Sequence, residues 1–109
     1  MYPSDYGYAT SGGSSKNRAS CMAKELYNWG DSSYSDCKNN DWLYNSSKYQ
    51  WTMSPHAGTS NGVFNVSSAG YVNERIPNST YAGRPVVHLK STIKVISGLG
   101  TASSPFILG

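Results

Sequence analysis

Two cysteines, two histidines and six carboxylates are the groups in this chain best equipped for chemistry. Cys21 and Cys37 have no Cys-x-x-Cys spacing and no cluster of histidines around them. Structural zinc takes four ligands, so the pair is poor zinc material. The favoured reading is a disulfide that ties a helix to a polar loop. A bond closing a loop of that length contributes roughly 3 kcal/mol by the chain-entropy model. Two other readings stay open. The cysteines could be buried free thiols in a reducing compartment, or Cys21 could be a nucleophile paired with His56 or His88. His88 lies in the apolar run Val86-Val87-His88-Leu89 and reads as a hydrogen-bonded core histidine. His56 lies in a Gly/Ser loop and reads as solvated. Asp31, Asp36 and Asp41 share one stretch with Asn39 and Asn40. Hard cations favour such oxygen-rich loops, but the spacing matches no EF-hand, so no metal ligand and no cofactor are assigned. Arg84, just before Pro85, is placed to hold a carboxylate or backbone carbonyls and pin the chain as it enters a strand.

These groups need elements to position them. Tyr49–Pro55 is the clearest strand. Tyr49, Trp51 and Met53 alternate with Gln50, Thr52 and Ser54, giving an apolar face expected to look inward. The nearly continuous apolar stretch Arg84–Ser91 predicts a central strand lying over Trp51, with Pro85 at its first position. A helix is expected over about 17–29, capped by Ser14, Ser15 or Asn17. Its stripe is Ala19, Met22, Leu26 and Trp29, with Gly30 in a left-handed conformation at its end. Residues 1–9 read as irregular strand or loop, and residues 31–41 as a polar loop leading to the apolar anchor Trp42-Leu43-Tyr44. Residues 62–73 read as a hairpin turning at Ser67–Gly70, with Gly70 available for positive φ. Strands over 92–96 and 105–108 close the sheet. The expectation is a single α+β domain spanning residues 1–109, one helix packed on a mainly antiparallel, loop-rich sheet.

Bulk properties narrow the function classes. Charged residues are only 14% of the chain, so solubility rests on Ser, Asn, Thr, Gly and Tyr. Tyr, Ser, Gly and Asn also make adaptable contact surfaces, although they equally make ordinary long loops. The net charge of +3 comes from scattered Lys and Arg, which argues against nucleic acid as a partner. No apolar run is long enough to span a membrane. Met1 is followed directly by Tyr-Pro-Ser-Asp, with no signal-peptide pattern.

The order Met1-Tyr-Pro-Ser-Asp-Tyr-Gly-Tyr-Ala9, Cys21, Cys37, Asp41-Trp-Leu-Tyr44, Trp51-Thr-Met-Ser-Pro55, Val63-Phe-Asn-Val66, Gly70, Arg84-Pro-Val-Val-His-Leu-Lys90, and Gly100-Thr101 followed by Pro105-Phe106 resembles an uncharacterised domain family. That family occurs at the C-terminal ends of secreted or surface-anchored proteins of Gram-positive, often gut, bacteria, including some pilin-like proteins. The Trp-to-Pro strand, the Gly-containing hairpin and the Arg-Pro-Val-Val segment are also similar to the larger C-type-lectin-like group, which includes formylglycine-generating-enzyme-like proteins. The resemblance implies a C-type-lectin-like architecture, an extracellular or cell-surface location, and a chain that is the C-terminal part of a larger domain. Calcium-dependent lectins use a Trp-Asn-Asp arrangement. Here Asn40-Asp41-Trp42 runs the other way, so no calcium or sugar ligands are transferred.

The reading is therefore a non-catalytic recognition or adhesion domain for a glycan or protein ligand, with contacts on loops. The candidate contacts are Tyr34, Tyr49, His56, Asn61, Tyr71 and Tyr81. A structural assembly module is the main alternative, with unpaired strand edges pairing copies of the chain. A degenerate formylglycine-generating-enzyme-like enzyme is the other. The cysteine assignment has a direct check. Freshly purified exported protein, denatured without reductant, should show no titratable thiol. Two thiols would refute the disulfide.

Overall fold

The structure, a computed structural model, describes residues 1–85, 87–101 and 103–109. It is a mixed helical and antiparallel-sheet fold. Helix α1 is Pro3–Tyr8, α2 is Arg18–Met22 and α3 is Ser35–Asn39, with 3-10 turns at Leu26–Gly30 and Ser32–Tyr34. Strands β1 (Gln50–Pro55), β2 (Val63–Val66) and β3 (Val72–Arg75) form one antiparallel sheet in that order. Strands β4 (Val95–Ser97) and β5 (Ile107–Leu108) pair separately as a two-stranded unit.

The Cys21–Cys37 disulfide forms, joining α2 to α3 with Cα atoms 5.5 Å apart and both residues fully buried. Around it lies the core of Met1, Tyr6, Trp29, Leu43, Val66 and Val72. The rings of Tyr6 and Trp29 meet at 5.4 Å, and the Tyr6 hydroxyl donates to the Gly70 carbonyl at 2.8 Å. That bond ties the first helix to the tip of the hairpin.

Several sequence expectations hold locally. Asn17 caps α2 by accepting from the Ser20 N–H at 2.9 Å. The hairpin forms, and Gly70 takes φ +86°. Others are corrected. Residues 1–9 hold a helix, because Pro3 stands at its first position, where a missing N–H costs nothing. The Tyr2 N–H donates to the Asp5 carboxylate at 2.6 Å and closes that first turn. The expected 17–29 helix is two shorter pieces. The disulfide draws Cys21 inward, so Met22, the intended centre of the stripe, is 40% exposed. Gly30 is not left-handed. It lies against the Tyr71 ring, and an added Cβ would sit 2.6 Å from that ring. The 31–41 loop is largely helical turns, with Asp31 accepting from the Ser33 N–H at 2.8 Å.

The two strands expected to dominate the sheet differ most. In β1 the polar residues face inward. Gln50 and Thr52 are buried, while Met53 is 62% exposed and Trp51 half-buried. The buried groups are satisfied. Gln50 Nε2 donates to the Leu43 carbonyl at 3.0 Å, and the Thr52 hydroxyl donates to the Phe64 carbonyl at 2.8 Å. The expected central strand at 84–91 is absent among the described residues. Val87 and Leu89 are 75% and 56% exposed, His88 is exposed rather than in the core, and Val86 lies outside the described residues. Trp51 is covered instead by Tyr81, at 4.6 Å. Strands β4 and β5 do not extend the main sheet.

The hairpin tip generates a stability prediction. An alanine at Gly70 would occupy left-handed space and place its Cβ 2.5 Å from Lys38 Cδ. Lys38, whose ammonium donates to the Ala69 carbonyl at 3.0 Å, would have to move. Gly70→Ala should destabilise the chain by about 1–2 kcal/mol, lowering Tm by roughly 5–10 °C in a thermal melt.

Candidate functional site

The six residues singled out from sequence fall into four places. Tyr34 stands alone beside α3, with Lys16 and Lys24 ammonium groups 5.3 and 6.0 Å from its ring centre. Tyr71 lies edge-on to Tyr27 at 6.0 Å, beside a polar groove of about 380 Å³ that includes Asn28, Asp31 and Asn73. His56 and Asn61 share the loop after β1. His56 Nδ1 is 2.8 Å from the Glu74 carboxylate, and its ring sits edge-on to Phe64 at 5.1 Å. It is therefore a half-buried, paired side chain rather than a solvated one. Asn61 and Glu74 line a groove of about 330 Å³ with Arg75 and Asn78.

Tyr49 and Tyr81 do come together, and with a third ring not assigned to binding from sequence. Tyr81 stacks on Tyr49 at 4.9 Å with planes 22° apart, and on Trp51 at 4.6 Å with planes 36° apart. The backbone explains the arrangement. The Trp51 N–H donates to the Ala82 carbonyl at 2.9 Å, and the Ala82 N–H donates to the Tyr49 carbonyl at 2.9 Å. These two bonds hold residue 82 against β1, so the preceding ring lies across the two outward rings of the strand. Met53 continues the same face. The result is a row of half-buried aromatic surface bordered along the chain by Lys48, Ser54, Ser79 and Thr80. The period-two pattern of 49–55 reveals two faces but not which one turns outward. The available signal was that Gln50 and Thr52 can both bond inside a core.

Arg84 anchors the end of this segment. Its Nη2 donates to Gln50 Oε1 at 2.8 Å and to the Leu43 carbonyl at 3.3 Å, and its Nε donates to Gln50 Oε1 at 3.1 Å. It thus holds a backbone carbonyl, as its position before Pro85 implied.

The three acids of the 31–41 stretch diverge in use. Asp36 accepts from the backbone of Ser15 and Lys16 and from the Ser15 hydroxyl, and these bonds lower its pKa. Asp31 is likewise lowered by its bonds from Ser33. Asp41 is buried, and desolvation raises its carboxyl to about 7 despite the bonds from the Leu43 and Tyr44 backbone and the nearby Arg84 charge. Its Oδ1 accepts from the Leu43 N–H at 2.8 Å, while Oδ2 has no protein partner. Burial, together with the charge of Asp41, raises the Tyr6 phenol far above its usual range. Among the described residues, no three His, Cys, Asp or Glu side chains come together as a metal-ligand set. Cys21 is bonded to Cys37 and offers no thiolate. No helix of the described residues is long and apolar enough to cross a membrane.

Compared with models of protein families, with curated proteins and with solved structures, the chain matches none.

Asp41 gives a pH prediction. A carboxyl whose folded pKa lies above its unfolded value of 3.8 favours folding while protonated. That contribution is complete near pH 4, declines as pH rises toward 7, and is absent above it. Asp31 and Asp36 act in the opposite sense, losing their contribution as pH falls below the ordinary carboxylate value. Asp41→Asn keeps an acceptor for the Leu43 N–H and removes the ionisation. Its urea midpoint should exceed wild type at pH 8, and the gap should close toward pH 4.5. A constant gap across that range would refute the assignment.

Proposed function

We propose that the chain is a non-catalytic extracellular recognition domain that binds a glycan on the Tyr49–Tyr81–Trp51 face. The observation that carries this reading is the three-ring stack on the outward side of β1, with Tyr81 lying across Tyr49 and Trp51. The flat apolar face of a pyranose packs on aromatic rings, whose electron-rich faces attract its C–H groups. Hydroxyls at the edge of the sugar would meet Ser79, Thr80 and Lys48. Rings already stacked on one another lose little freedom when a ligand settles on them, so binding costs little ordering entropy. Support for the location comes from the disulfide, since such bonds persist in oxidising compartments. The resemblance to surface domains of Gram-positive bacteria and to lectin-like proteins points the same way.

Of the other candidate contacts, Asn61 is the best placed for a polar ligand, in the groove it shares with Glu74. That groove carries one acid and one base and lacks an exposed aromatic platform, so a sugar would rest less well there.

A glycan array probed with the intact chain tests the reading. A bound glycan should quench or shift Trp fluorescence, since Trp51 lies in the stack. Trp51→Ala and Tyr81→Ala should each weaken binding by at least tenfold, about 1.4 kcal/mol. Tyr34→Ala, remote from the stack, should leave binding unchanged. An array with no binder, or binding that survives loss of both rings, would overturn the proposal.

A further inference from the structure

Asn61 and Gly62 form the one Asn-Gly pair in the chain. They lie in the turn between β1 and β2, with Asn61 exposed and Gly62 buried. An asparagine carboxamide and the next backbone nitrogen are one bond short of a five-membered ring. Closing that ring is unimolecular, so the two groups meet at high effective concentration. A side chain on the second residue ordinarily opposes closure by crowding the attacking nitrogen. Hydrogen bonds on that nitrogen or on the carboxamide oppose it too.

The fold removes both obstacles. Gly62 has no side chain, and packing keeps it so. A Cβ there would run into the Thr59 hydroxyl and come within 3.2 Å of Glu74 Oε2 and of His56 Cβ. These three side chains hold one another. His56 Nδ1 is 2.8 Å from the Glu74 carboxylate, and the Thr59 hydroxyl donates to that carboxylate at 3.3 Å. The Gly62 carbonyl accepts from the His56 N–H at 2.8 Å, which fixes the glycine from its far side. Among the described residues, neither the Gly62 N–H nor the Asn61 carboxamide has a hydrogen-bond partner. The two Asn-Ser pairs differ on both counts. Asn45 accepts from the Ser47 N–H at 2.9 Å and Asn78 from the Ser79 hydroxyl at 3.5 Å, and each is followed by a residue with a side chain.

We propose that Asn61 is a self-modification site, converted in the folded chain to an aspartyl or isoaspartyl residue through a succinimide. The Gly62 nitrogen gives its proton to solvent and attacks Asn61 Cγ. The new N–Cγ bond forms, the Cγ–Nδ2 bond breaks, and the amide nitrogen leaves as ammonia. One water then opens the ring. Opening at Cγ gives the aspartyl form. Opening at the main-chain carbonyl leaves the chain running through Cγ and gives the isoaspartyl form. Nothing is oxidised or reduced, and water is the sole co-reactant.

The position of the site gives the change two effects. The groove shared by Asn61, Glu74 and Arg75 passes from one acid and one base to two acids and one base. An isoaspartyl link also adds a main-chain carbon directly before Gly62. That displaces the carbonyl held by His56 and releases the turn after β1. The chain thus carries a slow, one-way charge switch. Tyr49, Trp51 and Tyr81 contribute nothing to this turn, so the switch stands or falls independently of glycan binding.

Incubating the intact, disulfide-bonded chain at mildly alkaline pH tests the proposal. A more acidic form should build up on ion exchange, heavier by the exchange of NH2 for OH. Peptide mapping should place the change at position 61. Conversion there should run about tenfold faster than at Asn45 or Asn78, a barrier lower by about 1.4 kcal/mol. Asn61→Gln, whose longer side chain closes a larger ring more slowly, should abolish the acidic form. Amide exchange at His56 should speed up in the isoaspartyl fraction, because its bond to Gly62 is lost. Unchanged exchange there overturns the release of the turn. A position 61 that stays intact in the folded chain overturns the proposal, and its conversion once the chain is unfolded in urea would trace the failure to shielding by the fold. An acidic form that persists in Asn61→Gln overturns it as well.

Discussion

The covalent bond between residues 21 and 37 is the constraint on which the body of this molecule depends. Helices α2 and α3 have five residues each, far short of the length at which a helix holds in water by itself. Among the described residues the core they enclose has eight buried apolar side chains, and two of them are the bonded cysteines. Joining the two helices removes freedom from the unfolded chain and leaves less for packing to supply. Tyr6, Trp29 and Val66 then fill the space beside the sulfurs with contacts drawn from three separate parts of the chain.

The interior is polar as well as small. Gln50, Thr52, Thr10, Asn65 and Asp41 are buried and bond to backbone groups, Thr10, Thr52 and Asn65 to carbonyls of α3, β2 and β3, and Gln50 and Asp41 to Leu43 in the irregular segment before β1. This is how a loop-rich chain satisfies backbone groups that no strand or helix pairs. Trp29 Nε1, Asp41 Oδ2 and Asn65 Oδ1 are left without a protein partner. Such orphan groups cost about 1–3 kcal/mol each, which makes the disulfide's contribution more necessary.

Local signals were legible in the sequence where one residue decides the geometry. Asn17 at a helix start, Gly70 at a tight turn and the lone cysteine pair each act over a few ångströms or through a bond. Signals that depend on which surface meets which were not. Alternation along 49–55 was clear, but a strand face turns inward according to what the rest of the chain can pack against it. Here Arg84 and Leu43 offered partners to Gln50, so the glutamine went in and the indole came out. The β-branched run after Pro85 reads as a buried strand for the same reason, yet no strand of the main sheet receives it among the described residues. Propensity names a shape; only a neighbour gives it a place. Of the candidate site, Tyr49 and Tyr81 were visible as rings, whereas Trp51 was hidden by being assigned to the core.

Strand β1 is where both ends of the body fasten. The Met1 carbonyl accepts from the Met53 N–H at 2.8 Å, and Ala82 is bonded on both sides of Gln50. A pull applied between residue 1 and residue 84 would therefore run through that one strand, with the bonds at Met53, Tyr49 and Trp51 loaded side by side. Because Met1 is itself part of the buried core, such a tug would reach the innermost packing as soon as those few edge bonds give way.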